Sequence, residues 1–283
     1  MTEILLLLAG LVGGALNSLA GGGSFIVFPA LLLAGVPPVL ANASNTYAAL
    51  PGYASGAFGF RKDIARYKGK LLVYSVVALI GGYAGAELLL HVSDAQFSAV
   101  VPWLMLFAVV LFTFGSRING WIAAKANGNS GLAKAGEALL LALLALLCVY
   151  GGFFNAGLGI LLLAFLALAG LTDIYAMNGI KLWISMLVAL VAVARFAING
   201  SIDWYHGSIA LVGVTTGAYL AARFAHKVPS QWIRMAVIAY SIGLTVYFFL
   251  EDVRGVMGER PPAPHAQRHS RESGNLCLLR VLK

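Results

Sequence analysis

Apolar runs of about span length, separated by short polar connections, follow one another along almost the whole chain. A helix needs about 20 predominantly apolar residues to cross a bilayer. Runs of that kind occupy about 39–60, 69–91, 97–115, 174–198, 206–226 and 231–250. Two further apolar stretches, 4–34 and 135–170, are interrupted by glycine and asparagine: GGALNSLAGGGS from Gly13 to Ser24, and GGFFNAGLG from Gly151 to Gly159. Glycine admits backbone conformations that a helix interior forbids. Each stretch therefore reads as two short or half-spanning helices meeting at a break, and the chain as an all-α polytopic membrane protein.

The pattern also repeats. Gly13-Gly14-x-x-Asn17 recurs as Gly151-Gly152-x-x-Asn155 at a shift of 138, and Ile64-x-x-Tyr67-x-Gly69 recurs as Ile202-x-x-Tyr205-x-Gly207 at the same shift. Ala34-Gly35 matches Ala169-Gly170, and Gly81-x-Tyr83 matches Gly217-x-Tyr219. A common order at a near-constant offset marks a duplication. The organisation expected is a first repeat over 1–118, a connection over 119–134, a second repeat over 135–250 and a tail over 251–283.

Loop charge bears on the orientation of the halves. The connection 61–70 carries five Lys/Arg and its counterpart 199–207 none, whereas 91–96 carries none and its counterpart 223–234 carries three. The asymmetry changes sides between halves, as inverted repeats require when basic loops stay inside. With each broken stretch returning to its own side, each half supplies a hairpin and three full crossings, and both termini face outward. The tail, with six Lys/Arg against four acids, argues for the cytoplasm instead. Its polar run GERPPAPHAQRHSRESGN reads as disordered.

Composition narrows the class further. Hydrophobic residues make up 60% and charged residues 11% of the chain, against about 25% charged in soluble domains, which excludes a water-soluble globule. The excess of 19 Lys+Arg over 11 Asp+Glu is read as topogenic rather than as a nucleic-acid surface. Met1-Thr2-Glu3-Ile4 offers no basic segment ahead of the first apolar run, so no cleaved signal peptide is expected. Two cysteines, Cys148 and Cys277, give neither a disulfide framework nor a Cys-based metal cluster. The five histidines hold no His-Glu-x-x-His pattern, and no cofactor or metal is expected.

Several local motifs together carry a resemblance. Gly21-Gly22-Gly23 with Pro29 and AGVPPVLANASN (34–45) stand in the first half. ALAGLTDIYAMNGIK (167–181), NGSIDW (199–204), TGAYLAARFAHKVP (216–229) and GLTVYFF (243–249) stand in the second. Over residues 10–250 the chain resembles the TauE/SafE family of sulfite exporters and organosulfonate permeases. The resemblance implies a multi-pass permease of the bacterial inner membrane, moving a small anion such as sulfite, a sulfonate or a related organic acid. Sulfur follows from the resemblance alone. The substrate itself, transport direction, proton or sodium coupling and a homodimeric state stay open. The second half departs from the family pattern where its glycine cluster thins to Gly157 and Gly159. It departs again where Lys181 replaces the small polar run Ser44-Asn45-Thr46.

Candidate site residues follow from position and chemistry. Lys181 lies roughly 10 Å into its helix at 1.5 Å per residue, where it either snorkels to the interface or binds and gates an anion. Asn178 and Trp183 accompany it on that helix. Asn17 and Asn155 hold matching places in the two breaks, as helix caps or as amide donors to a substrate. Gly21, Gly22, Gly23 and Ser24 leave backbone N–H groups open to an anion. Asn45 belongs to the polar island Asn42, Ser44, Asn45 and Thr46. Glu87 and Arg223 occupy equivalent positions and read as a coupling pair or as groups near headgroups; Arg195 reads as an interfacial anchor or part of an anion path. Gly81-x-x-x-Gly85 and Gly213-x-x-x-Gly217 predict close helix packing. Tyr47, Tyr53, Trp103, Trp121 and Trp204 are expected in the interfacial belt.

The function class favoured is a secondary transporter working by alternating access. An intramembrane enzyme would need a constellation such as Gly-x-Ser-x-Gly or paired membrane aspartates, and the sequence offers neither. A non-sulfur or cation permease is the other alternative. A lipid scaffold would need longer loops than 116–134.

Overall fold

The computed structural model describes residues 1–20, 22–107 and 133–224, together with Val110 and Gly243. Every regular element among the described residues is helical. Helices α1 (Thr2–Ala20) and α2 (Ser24–Leu33) form a hairpin, followed by α3 (Pro38–Gly59). A short helix α4 (Arg61–Ile64) and a 3-10 turn (Ala65–Tyr67) lead into α5 (Lys68–Leu90), and then α6 is described over Asp94–Phe107. The second half gives α7 (Ala133–Phe153) and α8 (Leu158–Leu168) as a hairpin, then α9 (Ile174–Ile198) and α10 (Trp204–Phe224). The runs read at 39–60, 69–91, 174–198 and 206–226 match α3, α5, α9 and α10 to within two residues. The run at 231–250 apart from Gly243, the tail 251–283, and the connection 119–134 apart from its last two residues lie outside the described residues.

Both interrupted stretches break where the glycines and asparagines stand, but unequally. α1 has 19 residues and α7 has 21, about 28 and 31 Å at 1.5 Å per residue. Only α2 and α8, with 10 and 11 residues, are short, so the expectation of two short helices per break holds for one arm of each hairpin. The breaks also differ in cause. Gly157 caps α8 at φ +82°, a left-handed conformation that favours glycine. Gly23 sits at φ −60°, and there glycine serves close approach: a Cβ would strike the Gly13 carbonyl oxygen and come within 2.9 Å of the Asn17 Cβ. The repeated Ala-Gly pairs are matching helix ends. Gly35 and Gly170 adopt φ +86° and +83°, while Val36 and Leu171 donate back to the carbonyls of Leu31 and Leu166, the Schellman pattern that satisfies terminal carbonyls.

Helix packing crosses the boundary between the halves. α1 packs along α10 and α5 along α7, while α3 packs on both α9 and α10, and α9 on both α3 and α5. Exchanging α1 with α7, α2 with α8, α3 with α9 and α5 with α10 returns the same principal pairs. Contacts fix the directions. Gly56 meets Leu182, and Gly179 meets Phe60 and Ile64, so α3 and α9 are antiparallel. Ser75 meets Trp183, Gly82 meets Val188 and Glu87 meets Arg195, so α5 and α9 are parallel. Ser44 meets Asp203 and Tyr47 meets Ser208, so α3 and α10 run together.

The close packing expected from the small-residue spacings is present. A Cβ on Gly10 would lie 2.9 Å from the Gly213 Cα, and one on Gly217 would overlap the Leu11 carbonyl. On the other side, a Cβ on Gly81 would lie 2.6 Å from the Cys148 Cβ, and one on Gly85 would overlap the Val149 carbonyl. Outward faces are apolar: Leu72, Val76, Ile80 and Tyr83 on α5 are all exposed at helical spacing, the surface of a protein solvated by hydrocarbon. Helices 61–90 and 175–198 are long and apolar enough to span a bilayer. Gly217→Leu should therefore separate α1 from α10 and abolish a folded, monodisperse species in detergent chromatography. Gly69→Ala, where an added Cβ meets nothing within 4 Å, should leave the elution and melting temperature unchanged.

Candidate functional site

Polar side chains are buried where the two hairpin tips meet α3 and α9. Asn17 at the end of α1, Gly23 and Ser24 at the start of α2, and Asn45 of α3 surround a cavity of about 10 Å³ whose other walls are Gly13, Val27, Ala49 and Val214, the room of about one water. Tyr53, one α3 face further along, donates its hydroxyl to Asn155 Oδ1 at 3.3 Å. Asn42 donates to the Phe153 carbonyl at 2.8 Å, tying α3 to the second hairpin.

The charge stands on α9, level with the later turns of α3, where Leu182 meets Gly56, and not on the wall of this cavity. With the shift of 136 that relates Tyr83 to Tyr219, Asn42 corresponds to Asn178, Asn45 to Lys181, Ala49 to Ser185 and Tyr53 to Ala189. Asn178, Lys181, Ser185 and Ala189 stand on one helical face, and Ala189 packs against Tyr53 and Ala49. Lys181 is 5% exposed and donates to Asn178 Oδ1 at 3.0 Å. No ion pair among the described residues includes it. It does not snorkel; its ammonium is buried. Asn45 Nδ2, Asn155 Nδ2 and Ser185 Oγ are buried without a hydrogen-bond partner, as is Asn42 Oδ1. Three of these four atoms can donate, and buried donors left unpaired cost about 1–3 kcal/mol each.

The remaining candidates separate from this cluster. Trp183 lies about 200° around α9 from Lys181 and donates its indole N–H to Ser75 Oγ at 2.8 Å. It lines a different cavity, of about 360 Å³, beside Arg61, Lys68, Phe58 and Met186. Glu87 pairs with Arg195 rather than with Arg223: Arg195 Nε and Nη2 reach the two carboxylate oxygens at 2.6 and 3.1 Å. The fork spans α5 and α9, which run parallel, so residues 108 apart reach the same level; His91 lies 3.7 Å from the same carboxylate. Arg223's side chain and Gly21 lie outside the described residues. Gly22 is buried, and its carbonyl accepts from the Phe25 N–H at 3.2 Å in the first turn of α2.

The sulfite exporter TauE/SafE family profile matches residues 6–248. The chain belongs to this family. Curated relatives extend along the same length. A probable membrane transporter protein of Haemophilus influenzae is 28% identical over 244 residues, 85% of this chain and 92% of that protein. Probable membrane transporter protein ORF9 of a Sinorhizobium species is 27% identical, covering 85% and 90%, and probable membrane transporter protein YfcA of Escherichia coli K12 is 27% identical, covering 82% and 83%. No solved structure matches the chain.

In this TauE/SafE chain the sequence reading did not find Tyr53 and Ser185 as site residues. Tyr53, expected in the interfacial belt, is 5% exposed. The i, i+3, i+7, i+11 spacing of Asn42, Asn45, Ala49 and Tyr53 was the signal available, and the corresponding spacing from Asn178 reaches Ser185. The Glu87–Arg195 fork is a two-point charge-assisted contact. Glu87→Gln and Arg195→Gln should each lower the melting temperature in detergent, and the double substitution should recover part of the summed loss, a coupling that a double-mutant cycle measures.

Proposed function

We propose that the protein is a secondary transporter for a small oxyanion, of the sulfite, sulfonate or short organic-acid kind, working by alternating access across the bacterial inner membrane. The observation that carries this reading is Lys181: a buried cation outside every ion pair of the described residues, on the α9 face that leads to unpaired amide and hydroxyl donors. An ammonium buried without a counter-charge costs several kcal/mol, and a monoanion entering beside it offsets that cost. Ser185, one turn along α9 from Lys181, and Asn155, tied to Tyr53, offer neutral donors of the kind that hold oxygen atoms of a sulfite or sulfonate, while Asn45 stands toward the other end of the α3–α9 seam. The start of α2, whose Gly23 and Ser24 wall the cavity beside Asn17 and Asn45, adds the positive end of a helix dipole. A cavity near 10 Å³ fits an occluded carrier, closed around its site between the two access states.

The two halves are read as inverted repeats of one hairpin and three crossings each. Support comes from the antiparallel run of α3 and α9, from the exchange of packed pairs between halves, and from basic residues that change sides. Such a pair of units gives two equivalent openings, one toward each side. Trp183 and the Glu87–Arg195 fork stand apart from the anion cluster. The family and the names of the relatives supply the sulfur and the transport; the buried donors supply the charge sign.

Sulfite, methanesulfonate and acetate at high concentration should raise the melting temperature of the detergent-purified protein for at least one anion, since a ligand of the folded state stabilises it by RT ln(1 + [L]/Kd). Lys181→Ala should remove that shift while the apo protein still melts cooperatively. A shift retained in Lys181→Ala, or raised only by cations, sinks the reading. For the inversion, single cysteines in 61–70 and in 199–207 should react with an impermeant maleimide from opposite sides of sealed vesicles; reaction from one side rejects it.

A further inference from the structure

We propose that Tyr53 is the latch between the two parts of the protein that move, and that these parts are two exchanged bundles rather than the two sequence halves. The first bundle is α1, α2, α3 and α10; the second is α5, α7, α8 and α9. Within each, backbones touch through glycine: Gly10, Gly14, Gly213 and Gly217 in one, Gly81, Gly85 and Gly152 in the other. Helices held at backbone contact have no side-chain layer that can repack, so they move as a unit. Between the bundles runs the α3–α9 seam, where Gly56 meets Leu182, and Ala49 and Tyr53 meet Ala189. Smooth apolar contacts of this sort slide at small cost.

Hydrogen bonds from Asn42 to the Phe153 carbonyl and from Tyr53 to Asn155 Oδ1 cross between the bundles. The Tyr53 bond is the one of these made between two side chains, so it opens without moving either backbone. Its hydroxyl joins α3 of the first bundle to the hairpin tip of the second. The bond is 3.3 Å long, against a usual 2.7–2.8 Å for O–H···O, and an anionic oxygen is a stronger acceptor than an amide carbonyl. An incoming oxyanion is thus able to take the Tyr53 proton from Asn155 and loosen the seam. The Glu87–Arg195 fork, although it joins the two sequence halves, lies inside the second bundle and stays closed throughout.

The latch rests on the transporter reading only for what displaces it. The test uses the full chain with Cys277→Ser and Ser185→Cys, keeping the native Cys148, which is buried on α7 inside the second bundle, as an internal control. N-ethylmaleimide labelling of both positions is followed by peptide mass spectrometry. Tyr53→Phe keeps the ring that packs on Ala49 and Ala189 and removes only the hydroxyl. It should speed labelling at position 185 about tenfold, the population change that losing one hydrogen bond of ordinary net strength allows, with Cys148 unchanged. Asn155→Leu, cutting the same bond from the other bundle, should do likewise. Unchanged labelling at position 185 in both variants overturns the latch, and so does an equal rise at Cys148, which would mean general loosening. If no anion stabilises the unsubstituted protein yet Tyr53→Phe exposes position 185 alone, the latch stands and the anion reading falls. If an anion stabilises it and labelling does not change, the latch falls and the anion reading stands.

Discussion

Backbone-to-backbone contact between helices from different halves is the constraint from which the rest of the arrangement follows. In a hydrocarbon solvent apolar side chains gain little by leaving lipid for protein, so association depends on close van der Waals contact and on polar groups finding partners. Glycines on α1 and α10, and on α5 and α7, permit that contact where any Cβ would collide with a carbonyl oxygen of the facing helix. Because the first half lends α5 and the second lends α10, neither half has its packing complete alone. The same exchange brings α3 and α9 face to face, since they are the helices left on the inner side of each bundle.

That leaves the α3–α9 face to carry chemistry. The glycine contacts have no room for a substrate, and the outward faces of α5 and α10 are apolar or belong to the interface. Buried polar residues collect instead on α3, on the inner face of α9 and at the hairpin tips: Asn42, Ser44, Asn45, Thr46, Asn155, Lys181 and Ser185 are each at most 5% exposed. Polar groups at such depth are costly unless paired, and part of this set is unpaired. A transport site has to carry unpaired groups of this kind, because a site whose donors were satisfied by protein would have nothing left for its substrate.

Much of the architecture was legible because membrane helices advertise themselves through length and hydropathy, and because glycine breaks are unambiguous in an apolar run. α3, α5, α9 and α10 lay within two residues of their runs, and the repeated Ala-Gly pairs turned out to be matched helix ends. The site was less legible. Lys181, Asn45 and Asn155 announced themselves as polar exceptions, whereas Tyr53 is an aromatic whose ordinary place in a membrane protein is the interface, and only the depth of α3 decides otherwise. Trp183 was drawn to Lys181 by adjacency along the chain, although two residues on a helix face nearly opposite ways. The partner of Glu87 failed for a related reason. Equivalence between repeats picks out Arg223, but equivalent positions sit at corresponding places in the two halves and need not touch, whereas the parallel packing of α5 on α9 brings Arg195 to the same level as Glu87.

The duplication itself explains why the charge sits on one side. Two identical halves would place the same residue at positions 45 and 181, so a lysine in one would bring a lysine in the other and a second buried ammonium whose desolvation has to be offset. Asparagine at the equivalent place in the first half leaves Lys181 as the buried ammonium of the described residues. The same divergence leaves Tyr53 packed with Ala189 rather than with a second tyrosine, so that one hydroxyl, not two, crosses to a hairpin tip of the other bundle. The differences between the repeated segments leave one buried ammonium on α9 and one hydroxyl tie from α3 to the second hairpin.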